Sequence, residues 1–383
     1  MSRLRVEVAR SVLAWAVERS GDREALERRF PKLGDWLAGT SQPTFKQLEA
    51  FAQAACVPFG YLFLPEPPEE KLPIPDLRTV RNRRLTRPSP NLLDTIYLMQ
   101  RRQAWLREER IEAEMEPLKF IGSAKVSDDP RAIGRDMRRV VGLADGWAAQ
   151  IRTWEQAVSE LRRMLEEIGI IAVINGIVGN NTRRVLDVEE FRGFAICDQY
   201  APVIFVNGAD AKSAQMFTLA HELAHLWLGE SALTNLPLNE RPSHNVETWC
   251  DRAAAEFLVP EQELRASWRH TGSGSDRFYA VARQFKVSPI VAARRAKDLH
   301  LIDTHEFLAF YESHSRRELR KKAAAGGGDF YRNQANRVGE LFARQVIYAA
   351  LEGRLSFKEA YSLIGLNGGA FQEYAARLGV QLP

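Results

Sequence analysis

Phe217-Thr-Leu-Ala-His221-Glu222-Leu-Ala-His225-Leu-Trp-Leu-Gly229 restricts the fold of this chain more than any other stretch. Leu219, Leu223, Ala224, Leu226 and Leu228 mark a helix buried on most sides and stopped at Gly229. Two histidines and a glutamate are poor choices on such a helix unless the fold supplies partners for them. The histidines stand four residues apart, one turn and about 40° around the helix, so both imidazoles can reach one metal ion. Glu222 projects beside that position, where it can take a proton from a metal-bound water. At the His and Glu frequencies of this chain, the HExxH pattern arises by accident in about 1% of chains this long.

A structural zinc takes four protein ligands and a catalytic zinc three, leaving a place for water. The candidates for a third ligand lie downstream: His244, Glu247, Cys250, Asp251 and Glu256. Val246 to Pro260 reads as a second helix stopped at the proline. Near its start Glu247, with Asp251 one turn later, can supply one metal ligand and one carboxylate that orients a histidine. Cys250 falls between small and apolar residues and reads as core. His244 precedes the helix and is a candidate to steady a developing oxyanion. Glu256 reads as a surface or helix-partner residue.

The rest of the 383 residues divides by pattern. Residues 1–64 read as four or five short helices. Ser20-Gly21-Asp22 ends one helix and caps the next, and Thr44 with Gln47 has the form of a capping box. A helix-turn-helix (HTH) module and a plain helical bundle explain this pattern alike. Residues 65–91 form a Pro-rich and basic linker, with five prolines in Pro65–Pro75, which excludes a helix there. Arg78 to Arg110 holds nine arginines against three acids and leads into an amphipathic helix within a helical connector, 92–140; its basic face reads as solvated, with phosphate contact as the other option. Residues 141–270 hold three short β-branched runs, Ile170–Asn175, Phe191–Cys197 and Val203–Asn207, and the two helices above.

Residues 271–325 contain a second HTH-like pattern. There Ser288 as cap and Pro289 as first helical residue open a basic helix whose Arg294, Arg295 and Lys297 are candidate nucleic-acid contacts. A helical pair packed on the preceding domain is the alternative. Residues 326–383 form a C-terminal helical region. The expected fold class is α+β and mostly helical, a small sheet with an HExxH helix between helical end regions.

Composition narrows the class. Three cysteines, Cys56, Cys197 and Cys250, are odd in number and far apart, so no disulfide framework is expected. No apolar run approaches the roughly 18 residues of a membrane span, and Met1–Arg10 lacks the apolar stretch of a signal peptide. These features point to a cytoplasmic protein with no membrane partner. A net charge of +4 leaves DNA binding to local patches, and Arg3 to Lys71 balances ten basic against ten acidic residues.

His221-Glu222-x-x-His225 with Glu247-x-x-x-Asp251 is similar to the gluzincin plan of zincin-like peptidases. The wording resembles the ImmA/IrrE family of metallo-endopeptidases still more closely, through Pro202–Asn207 before FTLAHELAHLWLG and Glu247-Thr-Trp-Cys-Asp-Arg-Ala-Ala-Ala-Glu-Phe-Leu-Val-Pro260 after it. Pro43–Glu49, Val57–Pro65 and Leu72–Thr79 resemble the XRE-like HTH region of the longer members. The resemblance implies that His221, His225 and Glu247 bind Zn2+ and that Glu222 is the general base for attack of zinc-activated water on a peptide carbonyl. It further implies a protein substrate, a DNA-binding repressor or a neighbour-encoded toxin or antitoxin partner, whose cleavage releases mobile-element genes or a stress response. A non-proteolytic, antitoxin-like DNA-binding regulator is the rival expectation; DNA and a second copy of the chain, as a homodimer, are further expected partners.

Overall fold

In the computed structural model, which describes residues 5–75, 88–234, 245–272, 274–318 and 330–381, the chain falls into two units. One draws on Met1–Pro73 and Leu85–Asp94, the other on Ile74–Arg84 and Thr95–Pro383. The first unit is built from α1 (Arg10–Ser20), α2 (Arg23–Arg29), α3 (Leu33–Ala38) and α4 (Phe45–Ala55). Asp22 caps α2 by accepting from the Ala25 N–H, and the Thr44–Gln47 capping box opens α4. Leu13, Leu33, Trp36, Leu48 and Phe51 form its core. The face α3 leaves exposed offers Gly34, Asp35 and Ala38, none of them cationic.

The second unit takes most of α5 (Pro90–Glu112), then α6 (Pro130–Val141) and α7 (Trp154–Glu167). The strands follow: β1 (Ile171–Asn175), β2 (Ile177–Val178), β3 (Asn181–Val185), β4 (Gly193–Ile196) and β5 (Val203–Asn207). Next come α8 (Lys212–Leu228), β6 (Ala232–Thr234), α9 (Asn245–Leu258), α10 (Glu261–Trp268), α11 (Asp276–Phe285), α12 (Pro289–Asp298) and α13 (Thr304–Glu318). The chain closes with α14 (Phe330–Val338), α15 (Glu340–Leu351), α16 (Phe357–Ile364) and α17 (Gly368–Arg377). The fold is therefore α+β and mostly helical. Among the described residues no helix is long and apolar enough to cross a membrane.

The main sheet has the order β1-β5-β4-β6. β1 runs parallel to β5, from Ile171↔Val203 to Asn175↔Asn207, while β4 is antiparallel to both β5 and β6. Every residue of β1, β4 and β5 is buried, as continuous apolar runs require. β6 and the β2–β3 hairpin went unforeseen, because three residues give no period and β3, Asn-Thr-Arg-Arg-Val, is polar and largely exposed. Residues 65–75 form no helix or strand, and the Pro75 carbonyl accepts from the Leu233 N–H of β6. Residues 76–87 lie outside the described residues, as do Gly326–Gly328.

Two of the α5 arginines depart from the expected solvated or phosphate-facing role. Arg102, fully buried, donates to the carbonyls of Arg337 and Leu363 near the ends of α14 and α16. Arg110 donates to the Gly169 carbonyl at 2.8 Å and to that of Tyr200. A guanidinium with five donors suits the unpaired carbonyls that helix and strand ends leave behind. Glu166 of α7 does the converse for α15, accepting from the Glu340 and Leu341 N–H groups while paired with Arg162 at 2.5 Å.

α8 lies across β4 and β5, α9 packs on α8, and α6 packs on α9. Trp227 Nε1 donates to Asp136 Oδ2 at 3.0 Å and Trp249 Nε1 to the Asp128 carbonyl at 2.9 Å, which fixes α6 against both helices. The close approach of α6 depends on Gly134, where an added Cβ would lie 2.7 Å from both the Ala253 carbonyl oxygen and Glu256 Cβ. Gly→Ala inside a helix ordinarily stabilises. Here Gly134→Ala is expected to destabilise by about 1–3 kcal/mol through overpacking, read as a lower thermal midpoint; a raised midpoint would mean that α6 does not pack this tightly.

Candidate metal centre

α8 places His221 and His225 on one face, and α9 brings Glu247 to meet them. His221 Nε2 lies 3.2 Å from His225 Nε2 and 3.2 Å from Glu247 Oε2, and His225 Nε2 lies 3.2 Å from Glu247 Oε1. All three residues are buried, the most accessible at 3%. Ligands about 2.0–2.1 Å from a tetrahedral ion stand about 3.3 Å from one another, so the spacing of the two imidazole nitrogens, with one Glu247 oxygen beside each, fits a first-row divalent cation. The donor set, two imidazole nitrogens and a carboxylate oxygen, suits such an ion. Its chemistry argues the same way, because these electron-rich atoms converge in the interior, where only a cation or a proton relieves their repulsion.

Asp251, one turn after Glu247, sets the orientation of His221. Its Oδ1 lies 3.1 Å from His221 Nδ1. A carboxylate only accepts, so Nδ1 donates and Nε2 is the ring nitrogen left facing the point of convergence. Burial works against a charged His221, but Asp251 and Glu247 together outweigh it and lift its pKa well above the histidine norm. Burial and the neighbouring His221 lower that of His225. Glu247, despite burial, is held well below the carboxylate range by the two histidines. Cys250 sits in the core, its thiol pushed up by burial and by the Glu247 and Asp251 charges.

Glu222 is fully buried on α8. Room for its carboxylate comes from β4. A Cβ at Gly193 would fall 2.9 Å from Glu222 Oε1, 2.5 Å from Thr218 Cγ2 and 3.0 Å from the Phe205 carbonyl. Sequence reasoning passed over Gly193, although a glycine within an apolar strand run is the recognised sign of a close approach.

His244, the candidate oxyanion stabiliser, lies outside the described residues. Of the two places expected for Glu256, surface or helix partner, the structure gives the second: it is 2% exposed and forms a buried ion pair with Arg295 of α12. That pairing also redirects one candidate nucleic-acid contact. Arg295 is 3% exposed, and its Nε donates to the Val259 carbonyl at 3.0 Å, so the guanidinium points into the protein and is not presented to a phosphate. Arg294 faces Asp251. Lys297 lies 3.6 Å from Asp298 and over the Phe307 ring. Ser288 caps α12 with Pro289 behind it, as expected, yet Val291, Ala292, Ala293 and Ala296 bury the helix against its neighbours. The three cations therefore stand against protein partners.

Residues 180–297 match the family model of the peptidase M78 group, described as the IrrE N-terminal-like domain. Residues 338–377 match a domain of unknown function, DUF8813. No curated protein matches the chain.

Purified without metal-binding tags, the chain is expected to carry about one divalent metal ion, with zinc the expected metal, and Glu247→Ala to lose most of it. Zinc at about 100 times its dissociation constant should add about 2.7 kcal/mol to stability, visible as a thermal midpoint that falls on chelation. Metal content unchanged in Glu247→Ala would remove Glu247 from the ligand set.

Proposed function

We propose that this chain, which carries an IrrE N-terminal-like peptidase domain at 180–297, is a zinc-dependent endopeptidase that cuts a protein regulator of transcription. The observation that carries the reading is the buried convergence of His221 and His225, on the same helix as Glu222, with Glu247 of α9 at 3.2 Å from each. Three protein ligands are the number that leaves a fourth position for water and substrate. Zinc, when bound, supplies a Lewis acid that lowers the pKa of water and polarises a peptide carbonyl.

The chain's own residues do the rest. His221, His225 and Glu247 hold the ion, and Asp251 keeps the His221 ring in the tautomer that can bind it. Glu222 accepts the proton of the attacking water on a carboxylate oxygen and returns it to the amine of the leaving peptide. Gly193 keeps β4 from displacing that carboxylate. The substrate we favour is a DNA-binding regulator or a neighbour-encoded toxin or antitoxin partner. The rival reading, a DNA-binding regulator with a structural zincin domain, draws less support, because α3, the stretch where a recognition helix of the 1–64 HTH pattern would sit, exposes no cation within Leu33–Ala38 and Arg295 is turned inward.

Glu222→Gln tests the assignment in cells that express either form. The variant should retain its zinc, and cleavage should fall about 10²–10⁴-fold, the range for loss of a general base. New protein N-termini should then appear with the wild type and be absent with the variant. Identical N-termini in both cell lines, with zinc bound in both proteins, would turn the assignment to the rival.

A further inference from the structure

α12 carries two consecutive arginines, and both reach α9. Arg295 pairs with Glu256 and donates to the Val259 carbonyl, which ties the two helices together in the interior. Arg294 Nη2 lies 3.4 Å from Asp251 Oδ2, with the arginine side chain 24% exposed and the aspartate 12%. Asp251 thus has a different partner on each oxygen: Oδ1 on the His221 Nδ1 side and Oδ2 on the Arg294 side. The final torsion of an aspartate is broad and roughly two-fold, so one contact leaves the carboxylate plane free to turn. Two contacts, one per oxygen, define it.

We propose that Arg294 is a positioning residue of the metal site: it fixes the plane of the Asp251 carboxylate, which in turn fixes the His221 ring and the direction of its Nε2 lone pair. The line Arg294–Asp251–His221 starts on a helix outside the HExxH pair. It makes the α11–α12 helical pair a buttress for the metal-ligating helices. The inference rests on the reading of His221, His225 and Glu247 as metal ligands.

The test is zinc affinity of the full chain, measured by competition with a chelator, in a double-mutant cycle over Arg294→Ala and Asp251→Asn. Arg294→Ala should weaken zinc binding about 10-fold, the low end for an outer-shell partner, and Arg294→Lys should recover part of the loss. In the Asp251→Asn background the same Arg294 change should cost little, because the residue through which it acts is already altered. The Co2+-loaded variant should show a shifted visible absorption band, while the metal-free thermal midpoint stays near that of the wild type. An unchanged zinc affinity in Arg294→Ala, a loss fully additive with Asp251→Asn, or an equal loss of metal-free stability would each overturn the inference. A wild-type chain that binds no zinc would instead remove the metal reading, and this inference with it.

Discussion

The convergence of His221, His225 and Glu247 is the constraint on which the second unit depends. Three electron-rich groups within 3.2 Å of one another in the buried interior repel unless a positive charge lies among them. The Asp251 and Glu247 carboxylates favour positive charge at this point strongly enough to raise the His221 pKa against the effect of burial. A divalent cation bound there would supply it more fully and turn a local cost into stabilisation. The layers around the site bring these groups together: the sheet beneath α8, α9 beside it, and α6 held close through Gly134 and the two tryptophan hydrogen bonds.

A second theme is the inward use of arginine. Arg102 and Arg110 satisfy carbonyl ends, Arg162 holds the glutamate that caps α15, and Arg295 neutralises Glu256. A buried guanidinium adds net stability only when its hydrogens are fully matched, and Arg110 Nε and Arg162 Nε have no acceptor among the described residues, so these cations specify geometry more than they add net energy. They also alter how the basic runs of the chain are to be understood. A run of arginines in sequence resembles a nucleic-acid surface, but a guanidinium committed to a buried carboxylate is not available to a phosphate. Charge counted along the chain therefore overstates the charge the surface offers.

Much of this molecule was legible in its residues. The HExxH helix and the helix carrying Glu247 and Asp251 follow from apolar spacing and from the demand that buried imidazoles find partners. The three central strands were visible as β-branched runs, and the caps at Asp22, Thr44 and Ser288 follow from side-chain chemistry that acts within three residues. β6 was not legible, because its pairing partner lies some forty residues earlier and its own three residues have no period. The role of Gly193 was hidden for a related reason, since what it makes room for sits on another element.

By itself, then, the sequence singled out the candidate residues for the chemistry and determined which local elements hold them, because helix period, capping and strand patterning are properties of neighbouring residues. Only the tertiary structure decided how those elements face one another: that Glu247 stands against both histidines while Cys250 stays in the core, that β4 yields space to Glu222, and that Arg294 and Arg295 point at α9. Side-chain direction across a packed interface depends on which element lies opposite, and that is decided by the burial of the whole core and not by any short run of residues.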